Sequence, residues 1–288
     1  MRVVFESRNR RACADRALVL ASLQIPHQII DDELSCALVV PAEFSAKAAE
    51  ELRLYDAENP PRLSTPAPLI QYQNAVPGLI AYVLTVLLVG GFAGISAFGE
   101  NWLTAGRVSG ELIRDGELWR ATTALTLHGG LRHLVGNIVF GVFFGLFAGR
   151  LLGSGVAWLT ILLSATAGNL ANTLLLSPSH ASIGASTAVF AALGLVAGHV
   201  WRARLMRQDR WPYRIGPVVG GLALLMYTGT GDANTDIGAH LMGFVCGFGA
   251  GMLLAGVRRH LNSAELQIGS GLAAACILVT AWVIALST

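Results

Sequence analysis

The sequence is poor in charged residues. Only 13% of its 288 residues are Asp, Glu, Lys or Arg, and Lys47 is the single lysine. Hydrophobic residues make up 53% of the chain, and the mean hydropathy is +0.57. Soluble globular domains carry about 25% charged residues. The composition therefore excludes an ordinary soluble protein and indicates a chain that lies mostly within a lipid bilayer.

Cysteine is scarce, and the N-terminus lacks an apolar stretch. The four cysteines are Cys13, Cys36, Cys246 and Cys276. None falls in a loop that the topology below places outside, which argues against a disulfide framework. The polar start MRVVFESRNRR has no apolar core of the signal-peptide type. We therefore expect no cleaved secretory signal, and we expect the first membrane span to act as the membrane signal.

Seven apolar runs have about the length that a membrane helix needs. A helix that crosses a bilayer requires about 20 mostly apolar residues. The runs cover residues 77–98, 131–150, 156–176, 185–201, 215–229, 237–257 and 268–286. The fourth and fifth runs are the shortest. The sequence thus predicts an all-α polytopic membrane protein.

The arginines indicate how the spans are oriented. A cluster lies between the fourth and fifth runs, and further arginines follow the second and sixth: Arg202, Arg204, Arg207, Arg210, Arg214, Arg150, Arg258 and Arg259. Basic residues favour the cytosolic side, so we expect a cytosolic N-terminus and an external C-terminus. The connection 99–130 opposes the rule because its own arginines would lie outside. Long connections obey the rule poorly, so the assignment is kept.

Residues 1–59 differ in character from the rest. Short β-rich runs and two helical patterns follow one another in the order β-α-β-β-α, which predicts a small α+β soluble domain. A linker is expected at 60–76, because the stretch NPPRLSTPAP contains four prolines in ten residues. The domain has no recognisable nucleotide, metal or nucleic-acid motif. We expect no cofactor, no metal and no nucleic-acid partner.

Polar residues inside membrane spans are costly and usually functional. Ser186 opens the fourth run, although a serine hydroxyl can simply bond back to a carbonyl one turn earlier. His240 lies in the sixth run, where proton handling and a hydrogen bond to another helix are the two interpretations. His133 and Asn137 stand four residues apart on one face of the second run. For this pair the alternative is a polar interface at the helix entry.

These four side chains are predicted to lie at one depth. Their spans all enter the membrane from outside, and at ~1.5 Å rise per residue the four lie on the order of 10 Å below the surface. A hydroxyl, an imidazole and two hydrogen-bond donors are the nucleophile, base and oxyanion donors of a serine hydrolase. Phe190 is expected to orient the imidazole, or else to be a core aromatic. Asp236 is expected to cap the sixth helix rather than complete a triad.

Three motifs, in this order, resemble the rhomboid family of intramembrane serine proteases. They are ELWR (117–120), HGGLRHLVGN (128–137) and the pair GAS…F…G and GAHLMGFVCG (184–194 and 238–247). The resemblance implies Ser186 as nucleophile and His240 as base, with His133, Asn137 and the Ser186 N–H as the oxyanion site. It implies structural roles for Trp119, Arg120, Gly184, Gly194, Gly243 and Gly247. Thr187 departs from the family pattern, since many members have glycine there, and this concerns local helix packing.

The resemblance implies a six-span rhomboid-like core over 77–257. The seventh apolar run lies outside these six spans, and from it we expect a connection and an extra C-terminal transmembrane helix over 258–288. The resemblance also implies cleavage of single-span membrane proteins near the outer face of the cell inner (plasma) membrane. The segment TGTGDANTD (228–236) is expected to act as a lid. Two alternatives are a non-proteolytic relative that binds client membrane helices and a transporter that uses His240 as a proton relay.

Overall fold

The structure is a computed structural model that describes residues 1–32, 35–59, 73–175, 179–203, 219–220, 236–257, 261 and 263–288. The chain forms two compact units, Met1–Pro68 and Leu69–Thr288. Each unit contains an apolar cluster of its own.

The N-terminal unit is a three-stranded antiparallel sheet with two helices. Its elements are β1 Arg2–Ser7, α1 Arg10–Ser22, β2 Gln28–Asp31, β3 Cys36–Val40 and α2 Ser45–Glu58. Their order is the β-α-β-β-α order that the sequence pattern predicts. Strand β3 lies between β1 and β2 in the sheet. The core includes Leu20, Leu38 and Leu52, because the helices cover one face of the sheet with their apolar sides.

The second unit is mostly helical. Its helices are α3 Val76–Gly94, α4 Trp102–Gly106, α5 Gly110–Arg114, α6 Arg120–Thr123, α7 Leu131–Leu152, α8 Ser154–Leu175, α9 Ser186–Ala203, α10 Ile237–Val257 and α11 Ala264–Ser287. Six of the seven predicted spans correspond to the long helices α3 and α7 to α11. The predicted fifth span, 215–229, lies outside the described residues except for 219–220. The six-span count of the core therefore stays a prediction.

Within the described part of the chain, five helices are long and apolar enough to cross a membrane. They are α3, α7, α8, α10 and α11. Helix α9 differs because it lies at the centre of the unit, where 11 of its 18 residues are buried. A helix that is surrounded by protein does not need lipid-facing apolar side chains. This explains why the fourth predicted span is less apolar than the others.

The first span is shorter than predicted, and the all-α prediction does not hold for the connection that follows it. The predicted span 77–98 ends as helix α3 at Gly94, because Ser96 and Phe98 have φ angles of 47° and 62°, which a right-handed helix does not contain. The connection 95–130 is also not purely helical. Its strand β4, Val108–Ser109, pairs antiparallel with β5, Ala181–Ser182. This pairing ties the connection to the segment that leads into α9.

Helices α9 and α10 approach each other closely at glycines. A Cβ added at Gly194 would collide with the carbonyl oxygen of Phe244, and one added at Gly247 would collide with the carbonyl oxygen of Ala191. Small residues let helix backbones come into direct contact, which in lipid is a main source of helix association. The two glycines therefore let the middle turns of α9 and α10 lie side by side.

Gly243 explains how the structure accommodates Thr187. A Cβ at Gly243 would lie 2.5 Å from the carbonyl oxygen of Thr187 and 2.9 Å from its methyl carbon Cγ2. On its other side, Gly243 lies against Gly168 of α8. The threonine side chain, which is buried, thus fills the space that a glycine leaves open. The threonine at position 187, where many family members have glycine, is therefore accommodated by the glycine at position 243.

We expect Gly247→Ala to destabilise the protein and Gly249→Ala to leave its stability unchanged. Gly247 lies against the backbone of α9, whereas a Cβ at Gly249 meets no atom within 4 Å. Forcing an extra methyl group into a close contact costs about 1–3 kcal/mol. The measurement is the thermal unfolding temperature of both purified variants in the same detergent. Equal temperatures for the two variants would contradict the close packing of α9 against α10.

Candidate active site

Four predicted site residues lie at the N-terminal ends of three helices. Ser186 is the first residue of α9, and His240 is the fourth residue of α10. The Oγ of Ser186 lies 2.7 Å from the Nε2 of His240, within hydrogen-bond distance. His133 and Asn137 occupy the first two turns of α7. The fold therefore brings together residues that are up to 107 positions apart in the sequence, counted from His133 to His240.

The backbone before Ser186 makes a turn that requires glycine. Gly184 has a φ of +135°, a conformation that residues with a side chain rarely adopt. A Cβ at this position would lie 2.7 Å from the Cε1 of His133 and 3.5 Å from the Oγ of Ser186. The N–H of Gly184 donates to the carbonyl oxygen of Ala124 at 2.9 Å. Gly184 thus allows the His133 ring to lie next to the turn that presents Ser186.

His240 is held by an aromatic ring and by burial. The rings of Phe190 and His240 are stacked, with centroids 4.7 Å apart and an interplanar angle of 23°. His240 is 5% exposed. When Ser186 donates its O–H to Nε2, the proton of the neutral imidazole lies on Nδ1. Among the described residues, Nδ1 has no hydrogen-bond partner, so the stacking contact with Phe190 is not supplemented by a hydrogen bond at Nδ1.

Asp236 caps helix α10 and does not contact the His240 imidazole. Its carboxylate accepts a hydrogen bond from the Ala239 N–H at 2.9 Å and from the Asn172 amide at 3.0 Å. The Nε2 of His180 donates to the same carboxylate at 2.8 Å. Burial raises the pKa of Asp236, but these hydrogen bonds and His180 outweigh it, and the pKa lies below its ordinary value. The predicted cap is confirmed.

Asn137 offers a free hydrogen-bond donor in the same region. Its Nδ2 is buried and, within the described residues, has no hydrogen-bond partner. Its backbone carbonyl oxygen accepts a hydrogen bond from the Tyr82 hydroxyl at 2.7 Å, which fixes this turn of α7 against α3. Buried polar groups are nearly always paired, so an unpaired amide calls for an explanation. One explanation is that the amide is placed to donate a hydrogen bond to an oxygen atom of a bound reactant.

His128 is a further histidine that the sequence reasoning did not single out. Its Nε2 lies 3.5 Å from the backbone nitrogen of Ala185, and its ring meets the His133 ring edge-on with centroids 5.2 Å apart. Burial, together with the neighbouring His133, lowers the pKa of His128 to about 4, so its ring is neutral at pH 7. The only signal was its place as the first residue of the motif HGGLRHLVGN.

The predicted structural residues of the connection lie away from the hydroxyl and the imidazole. Arg120 is 7% exposed and donates to the Glu117 carboxylate at 2.6 Å and to the carbonyl oxygen of Thr104 at 2.8 Å. Trp119 packs against a cluster that includes Leu127. These contacts fold the connection 95–130 into a fixed shape. Gly194, Gly243 and Gly247 lie at the helix contacts described above.

The described residues contain no group of three or more His, Cys, Asp or Glu that could hold a metal ion. A hydroxyl that donates to a neutral imidazole is an activated nucleophile, because the imidazole can take up the proton during attack.

Comparison with known proteins gives a consistent result. Residues 115–257 match the Rhomboid domain family. The chain is 35% identical over 134 residues to Rhomboid-like protease 3 of Toxoplasma gondii, which covers 46% of this chain and 49% of that protein. It is 30% identical over 156 residues to Rhomboid protease GluP of Bacillus subtilis (strain 168), or 54% of this chain and 30% of that protein. The chain thus spans about half the length, or less, of these curated relatives.

We expect a fluorophosphonate probe to label Ser186. The hydrogen bond to His240 activates this hydroxyl, whereas ordinary serines do not react with such probes. Mass spectrometry of the labelled protein should map the modification to the peptide that contains Ser186, and His240→Ala should abolish it. Ser182→Ala is the control, because it removes a nearby hydroxyl in β5 and should label normally. Labelling that persists in His240→Ala would contradict the assigned activation.

Proposed function

Because the chain belongs to the rhomboid family, we propose that it is an intramembrane serine endopeptidase. Ser186 is the nucleophile and His240 is the general base, without a carboxylate as third member. The observation that carries the proposal is the 2.7 Å contact between the Ser186 hydroxyl and the His240 imidazole. A nucleophile and base at this distance, on neighbouring helices within a membrane unit, match the requirements of acyl transfer.

The proposed reaction has two halves. His240 Nε2 takes the Ser186 proton as Oγ forms a bond to the carbonyl carbon of the substrate peptide. The tetrahedral intermediate then collapses, the C–N bond breaks, and the imidazolium gives its proton to the leaving amine. In the second half, His240 activates a water molecule that attacks the acyl-serine and releases the acid.

The proposed oxyanion site consists of His133, the Asn137 amide and the Ser186 backbone N–H. The unpaired Nδ2 of Asn137 and the position of the His133 ring beside Gly184 support this assignment. Each donor of this kind contributes about 10²–10³ in kcat, because it meets charge that develops only in the transition state. Phe190 acts indirectly, by holding the His240 ring in the plane that points Nε2 at Ser186.

The proposed substrates are single-span membrane proteins that are cut near the outer interface. A peptide bond inside a helix is shielded by its neighbours, so the substrate segment must unwind locally before attack. The lid expected at 228–236 lies outside the described residues, apart from Asp236.

We place the protein in the cell inner (plasma) membrane, with the N-terminus in the cytosol and the C-terminus outside. The arginine-rich stretch after α9 supports this orientation. The arginines of the 99–130 connection oppose it, but two of them are occupied within the protein. Arg120 pairs with Glu117, and Arg114 donates to the carbonyl oxygen of Thr173 at 2.7 Å.

The proposed division of the chain follows the sequence pattern. It consists of a cytosolic domain at 1–59, a linker at 60–76, a protease core at 77–257, and a connection with an additional helix at 258–288. Residues 60–72 of this linker lie outside the described part of the chain.

The two alternatives account for less of the site. A protein that only binds client helices needs neither the hydroxyl nor the imidazole. A proton-relay transporter would need His240, but proton transport would not require the Ser186 hydroxyl. The hydrogen bond between the two side chains favours the protease over both alternatives.

We expect Ser186→Ala and His240→Ala each to lower the rate of cleavage of a reconstituted single-span substrate by at least about 10³-fold, because each removes a member of the reacting pair. Gly249→Ala, an exposed change on the same helix as His240, is the matched control and should cut normally. The measurement is the initial rate in liposomes, with product identified by mass spectrometry. Normal cleavage by both active-site variants would show that the peptidase assignment is wrong.

We expect Asp236→Asn to retain catalysis within about tenfold of the wild type. Asp236 caps the start of α10, and asparagine is a comparably good N-cap, so the variant removes the negative charge but keeps the cap. The measurement is kcat for cleavage at a temperature well below unfolding, compared with that of His240→Ala. A loss as large as that of His240→Ala would instead indicate a catalytic triad.

A further inference from the structure

The C-terminal helix α11, which corresponds to the seventh predicted span, contacts the rest of the unit through a polar group near each of its ends. Gln267 lies near its N-terminus, and Trp282 lies near its C-terminus. Helix α11 falls outside residues 115–257, which match the family. The family match therefore says nothing about the function of α11, and its role has to be inferred from its contacts.

Gln267 joins α11 to the turn between α7 and α8. Its Oε1 accepts hydrogen bonds from the N–H groups of Gly155 and Val156 at 2.9 and 3.2 Å. Its Nε2 donates to the carbonyl oxygens of Leu152 and Leu261 at 2.8 and 2.7 Å. One amide thus satisfies the end of α7 and the start of α8, at the opposite ends of these helices from the proposed active site.

Trp282 joins α11 to the connection that leads into the active site. It is 7% exposed, and its indole Nε1 donates to the Thr126 hydroxyl at 3.1 Å. The Thr126 hydroxyl in turn donates to the carbonyl oxygen of Thr123 at 2.7 Å. The indole also stacks obliquely on Trp102, with ring centroids 4.6 Å apart. Gly106 leaves room for it, since a Cβ there would lie 2.5 Å from the indole Cη2.

The Trp282 contacts reach both backbone segments that border the active site. Its cluster includes Leu127, which is fully buried and directly precedes His128. Ile183 packs against the same cluster and directly precedes Gly184. His128 and Gly184 both lie beside His133. The cluster that contains the Trp282 indole therefore supports the two segments between which the His133 ring is placed.

We propose that Trp282 is a positioning residue, which sets the oxyanion side of the active site through Thr126 and Leu127. The proposal rests on the peptidase function proposed above. Gln267 supplies stability at the other end of α11 without a contact to the site. The two ends of the helix thus have separate effects, one on catalysis and one on folding.

We expect Trp282→Phe to lower kcat for cleavage about five-fold to ten-fold, with KM changed less than two-fold. Phenylalanine keeps ring packing but lacks the N–H, and the loss corresponds to about one hydrogen bond. Thr126→Val should have the same effect, and the double variant should be no worse than either single one, because both remove the same bond. Gln267→Met is the matched control, with a lower unfolding temperature and an unchanged kcat well below that temperature.

Two results would overturn the positioning role. One is a kcat for Trp282→Phe within two-fold of the wild type, and the other is an equal loss of kcat in Gln267→Met. The rate of fluorophosphonate labelling of Ser186 is measured in parallel, because it needs no peptide substrate. A wild type that labels but does not cleave contradicts only the peptidase function, and slower labelling of Trp282→Phe then still supports the positioning role. A wild type that does neither overturns both proposals.

Discussion

The close contact between helices α9 and α10 is the constraint on which the proposed active site depends. Ser186 and His240 belong to different helices, and a hydrogen bond between their side chains requires the two backbones to run nearly in contact. Gly194 and Gly247 allow this approach because any Cβ would meet a carbonyl oxygen of the other helix. The energy that holds the site together therefore comes mainly from helix packing, and the hydrogen bond between the two side chains is its result.

The helices and the main residues of the site could be predicted because the physical signals are local. A membrane span appears as a long apolar run, and a polar group within it is conspicuous because burying it in lipid is costly. Ser186, His240, His133 and Asn137 were found in this way, and the structure places Ser186 and His240 in hydrogen-bond contact. Phe190 was found because residues four apart share a helix face. Each of these inferences needs only one helix and its orientation.

Contacts between distant segments could not be predicted in the same way. The carboxylate of Asp236 binds Asn172 and His180, which lie 64 and 56 residues away. His128 was overlooked because a histidine in a connection is not conspicuous in the sequence. The sequence does not single out Gln267 either, although its side-chain amide forms hydrogen bonds with four backbone groups. The backbone turn at Phe98 was missed because an apolar residue seldom takes a positive φ.

Helices α7, α9 and α10 all begin at the proposed active site, at Leu131, Ser186 and Ile237. The N-terminal end of a helix carries a partial positive charge, since its first N–H groups lack partners within the helix. Three such ends converge near the buried side chains of His240 and Asn137, where charges are screened less than at an exposed surface. Negative charge that appears there is therefore stabilised by the scaffold as a whole. This electrostatic contribution should vary little with the salt concentration of the surrounding solution, because buried charges are screened by mobile ions less than exposed charges are.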